Sequence, residues 1–140
     1  MKKPNAIIVG GTGQFGITLS KQLIKKKFKV IITTRSLAKA KKKIKNKKIH
    51  IICGGPPCQG FSTIGPGDAK DSRNHLFLQF VRFVKELKPE IIVLENVTGL
   101  LAKKNINTLK SIFNCFEKLG YNLNAKVLAS HHYGVPQIRR

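Results

Sequence analysis

Asn5-Ala6-Ile7-Ile8-Val9-Gly10-Gly11-Thr12-Gly13-Gln14-Phe15-Gly16 is an apolar run that ends in a glycine turn and opens a helical pattern. Phe15, Leu19 and Leu23 recur at helical spacing through about Lys26, so the order is strand, turn, helix. The alternation continues outward. Phe28 to Thr33 reads as a second strand rich in β-branched residues, and Ser36 is the expected N-cap of a lysine-rich helix reaching about Asn46. Ile49 to Cys53 is a third strand, stopped by Gly54-Gly55-Pro56-Pro57 because proline cannot continue a central ladder. Leu76, Phe77, Phe80, Val81, Val84 and Leu87 mark one face of a helix over 74–87, with Pro89 beyond its end. Ile91 to Leu94 is a buried strand. Ile106, Leu109, Ile112, Phe113 and Phe116 pattern another helix, closed by Gly120, and Leu123 to Leu128 is expected to be the last strand. This alternation predicts an α/β fold: a Rossmann-like, doubly wound, mostly parallel sheet of about five strands.

The chain has 140 residues and is 41% hydrophobic, enough for one compact core. No apolar run approaches the roughly 20 residues a bilayer requires, so no membrane partner is expected and the location is read as cytoplasmic. Cys53, Cys58 and Cys115 are an odd set without paired ligand spacing, which points to neither a disulfide framework nor a metal site. Cys53 and Cys115 read as core filler, and His131-His132 as structural or exposed. The formal charge is +21, and it is uneven: residues 1–50 carry fifteen Lys or Arg and no acid, residues 51–140 twelve against six. Such a potential draws in phosphate backbones, although lysine-rich faces also arise from composition alone.

Gly10, Gly13 and Gly16 form G-x-x-G-x-x-G between a strand and a helix, where backbone can approach a pyrophosphate at the helix N-terminus. With Arg35 after the second strand, residues 5–50 resemble the opening of an extended short-chain dehydrogenase/reductase, such as a nucleotide-sugar dehydratase or epimerase. That resemblance implies cofactor binding by Gly10, Gly13, Gly16 and Arg35, with NADP as the candidate. The Tyr-x-x-x-Lys pair such enzymes use is missing, since Tyr121 is followed by Ala125 and Tyr133 by Gln137.

Gly54 to Ser62, GGPPCQGFS, places a Pro-Pro-Cys at the carboxyl end of a sheet strand, where folds of this class bind ligands. Asp71-Ser72-Arg73-Asn74 leads into Leu76-Phe77, Glu95-Asn96-Val97 precedes Gly99-Leu100-Leu101, and Gly134-Val135-Pro136-Gln137-Ile138-Arg139 follows near the end. In this order the four motifs resemble the DNA cytosine 5-methyltransferases over residues 51–140. The resemblance implies transfer of a methyl group from S-adenosylmethionine to carbon 5 of cytosine in DNA, as in restriction-modification. It makes Cys58 the nucleophile, Glu95 the acid at ring nitrogen 3 and Arg139 a base-holding group. Pro57, Gln59, Gly60, Phe61, Ser62 and Asn96 form the substrate loop and its support, closing over a base flipped out of the duplex.

The family's Phe-x-Gly-x-Gly turn and the acids after its next two strands have no counterpart here, so the chain reads as a chimera: a glycine-turn nucleotide-binding segment over 1–50 and a methyltransferase catalytic segment over 51–140, sharing one sheet. A second chain supplying target recognition is a candidate partner. Sheet order separates the two resemblances. A methyltransferase sets the cysteine strand beside the first strand, and a dehydrogenase sets its third strand outside the second. The expected place for Ile49 to Cys53 is beside Asn5 to Val9, which brings Cys58 near Gly10 and allows a right-handed crossover to the Glu95 strand.

Overall fold

The computed structural model describes residues 3–10, 14–33, 37–44, 47–56 and 74–134. Its elements, in chain order, are β1 (Asn5–Val9), α1 (Gln14–Lys25), β2 (Lys29–Thr33), α2 (Leu37–Ile44), β3 (Ile51–Gly54), α3 (Asn74–Leu87), β4 (Ile91–Leu94) and α4 (Ile106–Glu117). Short 3-10 turns span Thr98–Leu101, Lys103–Asn105 and Ser130–Tyr133.

The strands form one parallel sheet in the order β2-β1-β3-β4. Ile7 faces Ile31 on one side and Ile52 on the other, and Ile52 faces Ile92. The third strand therefore lies beside the first, as the expected sheet order requires. The chain crosses from one flank of β1 to the other between β2 and β3. This makes the carboxyl ends of β1 and β3 the switch point, where open α/β sheets leave a crevice.

Side-chain alternation divides the packing between two faces. Ile7, Ile31 and Ile52 join Leu37, Ala40 and Ile44 of α2, Phe77, Phe80, Phe83 and Val84 of α3, and Ile112 and Phe116 of α4 in one buried cluster. The Phe116 ring meets Phe77 and Phe80 edge-on, with centroids 5.8 and 6.3 Å away, the arrangement the ring quadrupoles favour. The alternate residues Ala6, Ile8 and Cys53 are buried on the opposite face, where α1 packs against β1 and β2.

The expected strand at Leu123 to Leu128 does not form: the residues join no ladder, and the described sheet has four strands. The segment, with residues of β4 and α4, lines a cavity of about 520 Å³. Among the described residues no strand pairs with the outer side of β4, and β4, expected to be buried, leaves Ile91 and Val93 exposed. β3 runs to Gly54 rather than stopping at Cys53. Ile49 and His50 precede it, still tied in by His50 N–H to the Asn5 carbonyl at 3.0 Å.

The amino ends of the strands are closed by polar side chains. Buried Asn5 donates its side-chain amide to the Lys48 carbonyl at 2.8 Å, and its backbone N–H to His50 Nδ1 at 3.0 Å. Helix ends reach the same edge through left-handed caps. Phe28 N–H returns to the Leu23 carbonyl at 2.9 Å around Lys27, and Tyr121 N–H to the Phe116 carbonyl at 3.1 Å around Gly120.

Candidate active site

Glu95 follows β4 directly and carries the ladder one step further, its N–H donating to the Gly54 carbonyl at 3.0 Å. This fixes the Glu95 backbone beside the end of β3 and lays its carboxylate over Gly55. A Cβ on Gly55 would come within 2.9 Å of Glu95 Oε2, so only glycine leaves room for the carboxylate where it stands. The next residue completes a clamp: Asn96 Nδ2 donates to the Pro56 carbonyl at 3.0 Å, while Asn96 Oδ1 accepts the Val97 N–H at 2.9 Å. Three consecutive residues of the β3 end, Gly54, Gly55 and Pro56, are thereby matched to the Glu95-Asn96 pair.

Gly54 itself is buried, and a Cβ there would stand 2.6 Å from Cε2 of the Phe80 ring. The two adjacent glycines thus serve different needs. Gly54 lets β3 close onto α3, and Gly55 leaves space for an acid. The sequence marks this pair as a strand terminator and as the start of the GGPPCQGFS motif, and the signal for the separate needs of the two glycines is the doubled glycine itself, more permissive than a strand end requires.

At the switch point Gly10 has φ +76°, and no atom lies within 4 Å of where its Cβ would be. Its N–H donates to the Thr33 carbonyl at 2.8 Å, so the turn is pinned between β1 and β2. Gly16 lies in the first turn of α1, buried, with its carbonyl accepting the Ser20 hydroxyl at 2.7 Å. That is the role of a glycine allowing close approach of helix and sheet.

Of the expected site residues, Gly10, Gly16, Glu95 and Asn96 are thus placed, all at or beside the carboxyl edge of the sheet. Cys58, Arg139, Gly13 and Arg35 lie outside the described residues, as do Pro57, Gln59, Gly60, Phe61 and Ser62.

Cys53 is buried, and desolvation pushes its thiol up to about 11. Near neutrality only about one molecule in ten thousand would carry the thiolate, which removes Cys53 as a nucleophile. Cys115 is half-buried and packs against the core. His131 and His132 are exposed, their rings edge to face at 4.3 Å. Among the described residues no group of three His, Cys, Asp or Glu could hold a metal ion. The 520 Å³ cavity is lined by Glu95 and Asn96 but mostly by apolar residues, among them Ile92, Leu94, Leu109, Ile112, Phe113 and Leu123. Such walls suit apolar packing rather than a polar base.

A parallel sheet with its switch point between β1 and β3, and an acid-amide pair clamped to a Gly-Gly-Pro strand end, define a Rossmann-like catalytic domain. The chain belongs to the C-5 cytosine-specific DNA methylase family, whose model matches residues 19–140. The match begins within α1 and runs through β2 and α2, so the likeness to that family is not confined to residues 51–140. The chain is 44% identical over 111 residues to the Type II methyltransferase M1.HphI of Haemophilus parahaemolyticus, covering 77% of this chain and 30% of that protein. It is 46% identical over 99 residues to the Type II methyltransferase M.XorII of Xanthomonas oryzae, covering 69% and 23%. Among solved structures it resembles a protein described as a DNA modification methyltransferase encoded within an E. coli prophage: TM-score 0.57, 28% identity, 83% of this chain and 38% of that one. The chain therefore spans less than a third of the length of these curated relatives.

Proposed function

We propose that this chain methylates carbon 5 of cytosine in DNA through a covalent adduct on Cys58. The observation that carries the reading is the clamp between Glu95-Asn96 and Gly54-Gly55-Pro56, because Pro56 is two residues before Cys58 in the sequence. Carbon 5 of cytosine is a poor nucleophile until a thiolate adds to carbon 6 and its electron pair moves toward carbon 5. Cys58 supplies the sulfur. Glu95 supplies a hydrogen bond or proton at ring nitrogen 3, which stabilises the charge that the addition develops. Once carbon 5 carries the methyl group, loss of its proton to water and departure of the Cys58 sulfur from carbon 6 as thiolate restore the aromatic ring. Asn96 positions the loop rather than touching the base, since both ends of its amide are engaged with backbone. Arg139 holds the flipped base, with Pro57, Gln59, Gly60, Phe61 and Ser62 forming the loop over it.

S-adenosylmethionine supplies the electrophilic methyl group when bound. The glycine turn fits a nucleotide-bearing cofactor: Gly10 is left-handed, and the space at its Cα is open. Gly10, Gly13 and Gly16 would hold it at the switch point. A second reading rests on the spacing of those glycines together with Arg35, which suits NADP and a dehydrogenase-like origin for residues 5–50. Titration of each cofactor against protection of α1 from proteolysis separates the two. Recognition of the target sequence is assigned, as part of this proposal, to a second chain. A reducing compartment such as the cytoplasm would keep Cys58 free. Among the described residues no helix is long and apolar enough to cross a membrane.

Trapping tests the reading. The protein is incubated with S-adenosylmethionine and duplexes carrying 5-fluorocytosine, whose fluorine blocks the final elimination, and a denaturant-stable adduct is sought. An adduct formed by the wild type and lost in Cys58→Ser supports it. No adduct in any sequence context overturns it for this chain acting alone.

A further inference from the structure

Six exposed lysines gather at one edge of the sheet. The four strands are parallel, so their amino ends lie along one edge, and the carboxyl ends of α1, α2 and α3 return to that edge. Lys3 precedes β1; Lys25, Lys26 and Lys27 end α1; Lys29 opens β2; Lys88 links α3 to β4. All six are exposed, and among the described residues none makes an ion pair. Backbone hydrogen bonds hold the segments side by side: Lys29 N–H to the Pro4 carbonyl at 2.8 Å, and Ile91 N–H to the His50 carbonyl at 2.9 Å. Of the four acids among the described residues, Glu86 and Glu90 are already engaged by Lys41 and Lys48, Glu95 lies at the opposite edge, and Glu117 ends α4.

A second observation is independent of charge. Lys27 (φ 64°) and Lys88 (φ 43°) are the non-glycine residues with left-handed backbone among those described, and both stand at helix ends where glycine is the relaxed choice. The third such helix end, after α4, does carry glycine, at Gly120. At this edge the fold keeps two cations in positions that cost stability, and strain retained at a surface site points to a use for the side chain.

We propose that the amino-terminal edge of the sheet, where Lys3, Lys25, Lys26, Lys27, Lys29 and Lys88 converge, is a second nucleic-acid contact surface that grips phosphate backbone without reading bases. It lies one strand length, roughly 15 Å, from the carboxyl-end site. It thus engages a different stretch of backbone from the one presenting the target cytosine. Reading the polyanion as DNA rests on the function proposed above. The surface itself does not depend on Cys58, so failure of trapping and failure of this proposal are separate results.

The test is the anisotropy of a labelled duplex of unrelated sequence, without cofactor, titrated with the full chain at several salt concentrations. Lys27→Gly/Lys88→Gly should raise Tm by a few degrees, as left-handed strain is relieved. The same variant should lower the slope of log affinity against log salt by about two, since each phosphate contact contributes roughly 0.9. Greater stability with weaker binding is what a purely structural role would not produce. Lys103→Gln/Lys110→Gln, which removes two exposed lysines on the α4 side, should leave the slope nearly unchanged. An equal fall in both variants would show that net charge alone governs binding, and an unchanged slope in the first would remove the edge from the interface. Either result overturns the proposal, as would tighter binding to anionic lipid vesicles than to the duplex.

Discussion

At the carboxyl ends of the strands the chain is built of glycine, proline and one exposed carboxylate, whereas at the amino ends it is built of lysine over a closed amide network. The upper edge holds backbone close and leaves bulk out: Gly10 is open to solvent, Gly55 makes room for Glu95, and Asn96 ties Pro56 down. The lower edge satisfies its polar groups internally, with Asn5 bonded to both Lys48 and His50, and it points its charge outward. The difference shows that side-chain hydrogen bonds hold the floor of the sheet, while glycine and proline backbone shapes its rim. Strained lysines below and open glycines above are both departures from what stability alone would select.

The sharpest way to break this comparison is to substitute the two adjacent glycines. Gly54→Ala puts a methyl 2.6 Å from the buried Phe80 ring, and overpacking of that kind should cost about 2–3 kcal/mol in urea denaturation. Gly55→Ala meets the movable end of the Glu95 side chain, so stability should change by less than about 0.5 kcal/mol. Displacing that carboxylate should nevertheless slow adduct formation roughly tenfold, as expected when a proton donor is moved from its geometry. Equal losses of stability in the two variants would mean that the rim is as tightly packed as the core.

A somewhat smaller effect sharpens the contrast between two thiols of one strand and its loop. Burial pushes Cys53 up to about 11 from an ordinary 9.0, so the unfolded chain ionises first. The contribution is complete below pH 9 and is lost as pH rises toward 11. Wild type should lose about 2 kcal/mol more than Cys53→Ala between pH 8 and pH 11, measured by denaturation in the presence of reductant. Parallel loss in both proteins would show that Cys53 is hydrated in the folded state.

Much of this was legible in the sequence, for identifiable reasons. β1, α3 and β4 match the residues that periodicity marks, because apolar spacing and the flanking glycines and Pro89 agree there. The position of β3 beside β1 followed from the order of motifs and the handedness of crossovers. Leu123 to Leu128 failed because an alternating apolar segment states only that one side is buried. Alternation does not say whether the backbone pairs with the neighbouring strand, and here it lines a cavity beside β4 instead. The place of Glu95 at the carboxyl end of β4 was readable from the apolar run before it, but its seat on Gly55 was not, since a contact across forty residues leaves no local pattern. The placement of lysines at left-handed helix ends was equally hidden, because the sequence shows their runs and not their dihedrals.

The smallest expected effect concerns the acids of the lower edge. Hydrogen bonds from Lys41 and Lys48 hold the Glu86 and Glu90 carboxyls below their ordinary value of 4.5. Folded-state values lowered in this way contribute stability that is present above pH 4.5 and lost as pH falls through the carboxylate range. Both pairs are solvent-exposed, at 2.6 and 2.5 Å, so ions in solution compete with them directly. Glu90→Gln should therefore be marginally less stable than wild type at pH 7 in low salt. The two proteins should converge as pH falls through the lowered carboxyl range, where Glu90 becomes protonated, and at every pH in 0.5 M salt, where screening is strong. The Cys53 step should persist in that salt, because desolvation by burial is not screened. A gap between Glu90→Gln and wild type that survives high salt would place the Lys48–Glu90 pair inside the closed network of Asn5 and His50. The lower edge would then be held by charge as well as by amides, and its lysines would be less free to meet a phosphate backbone.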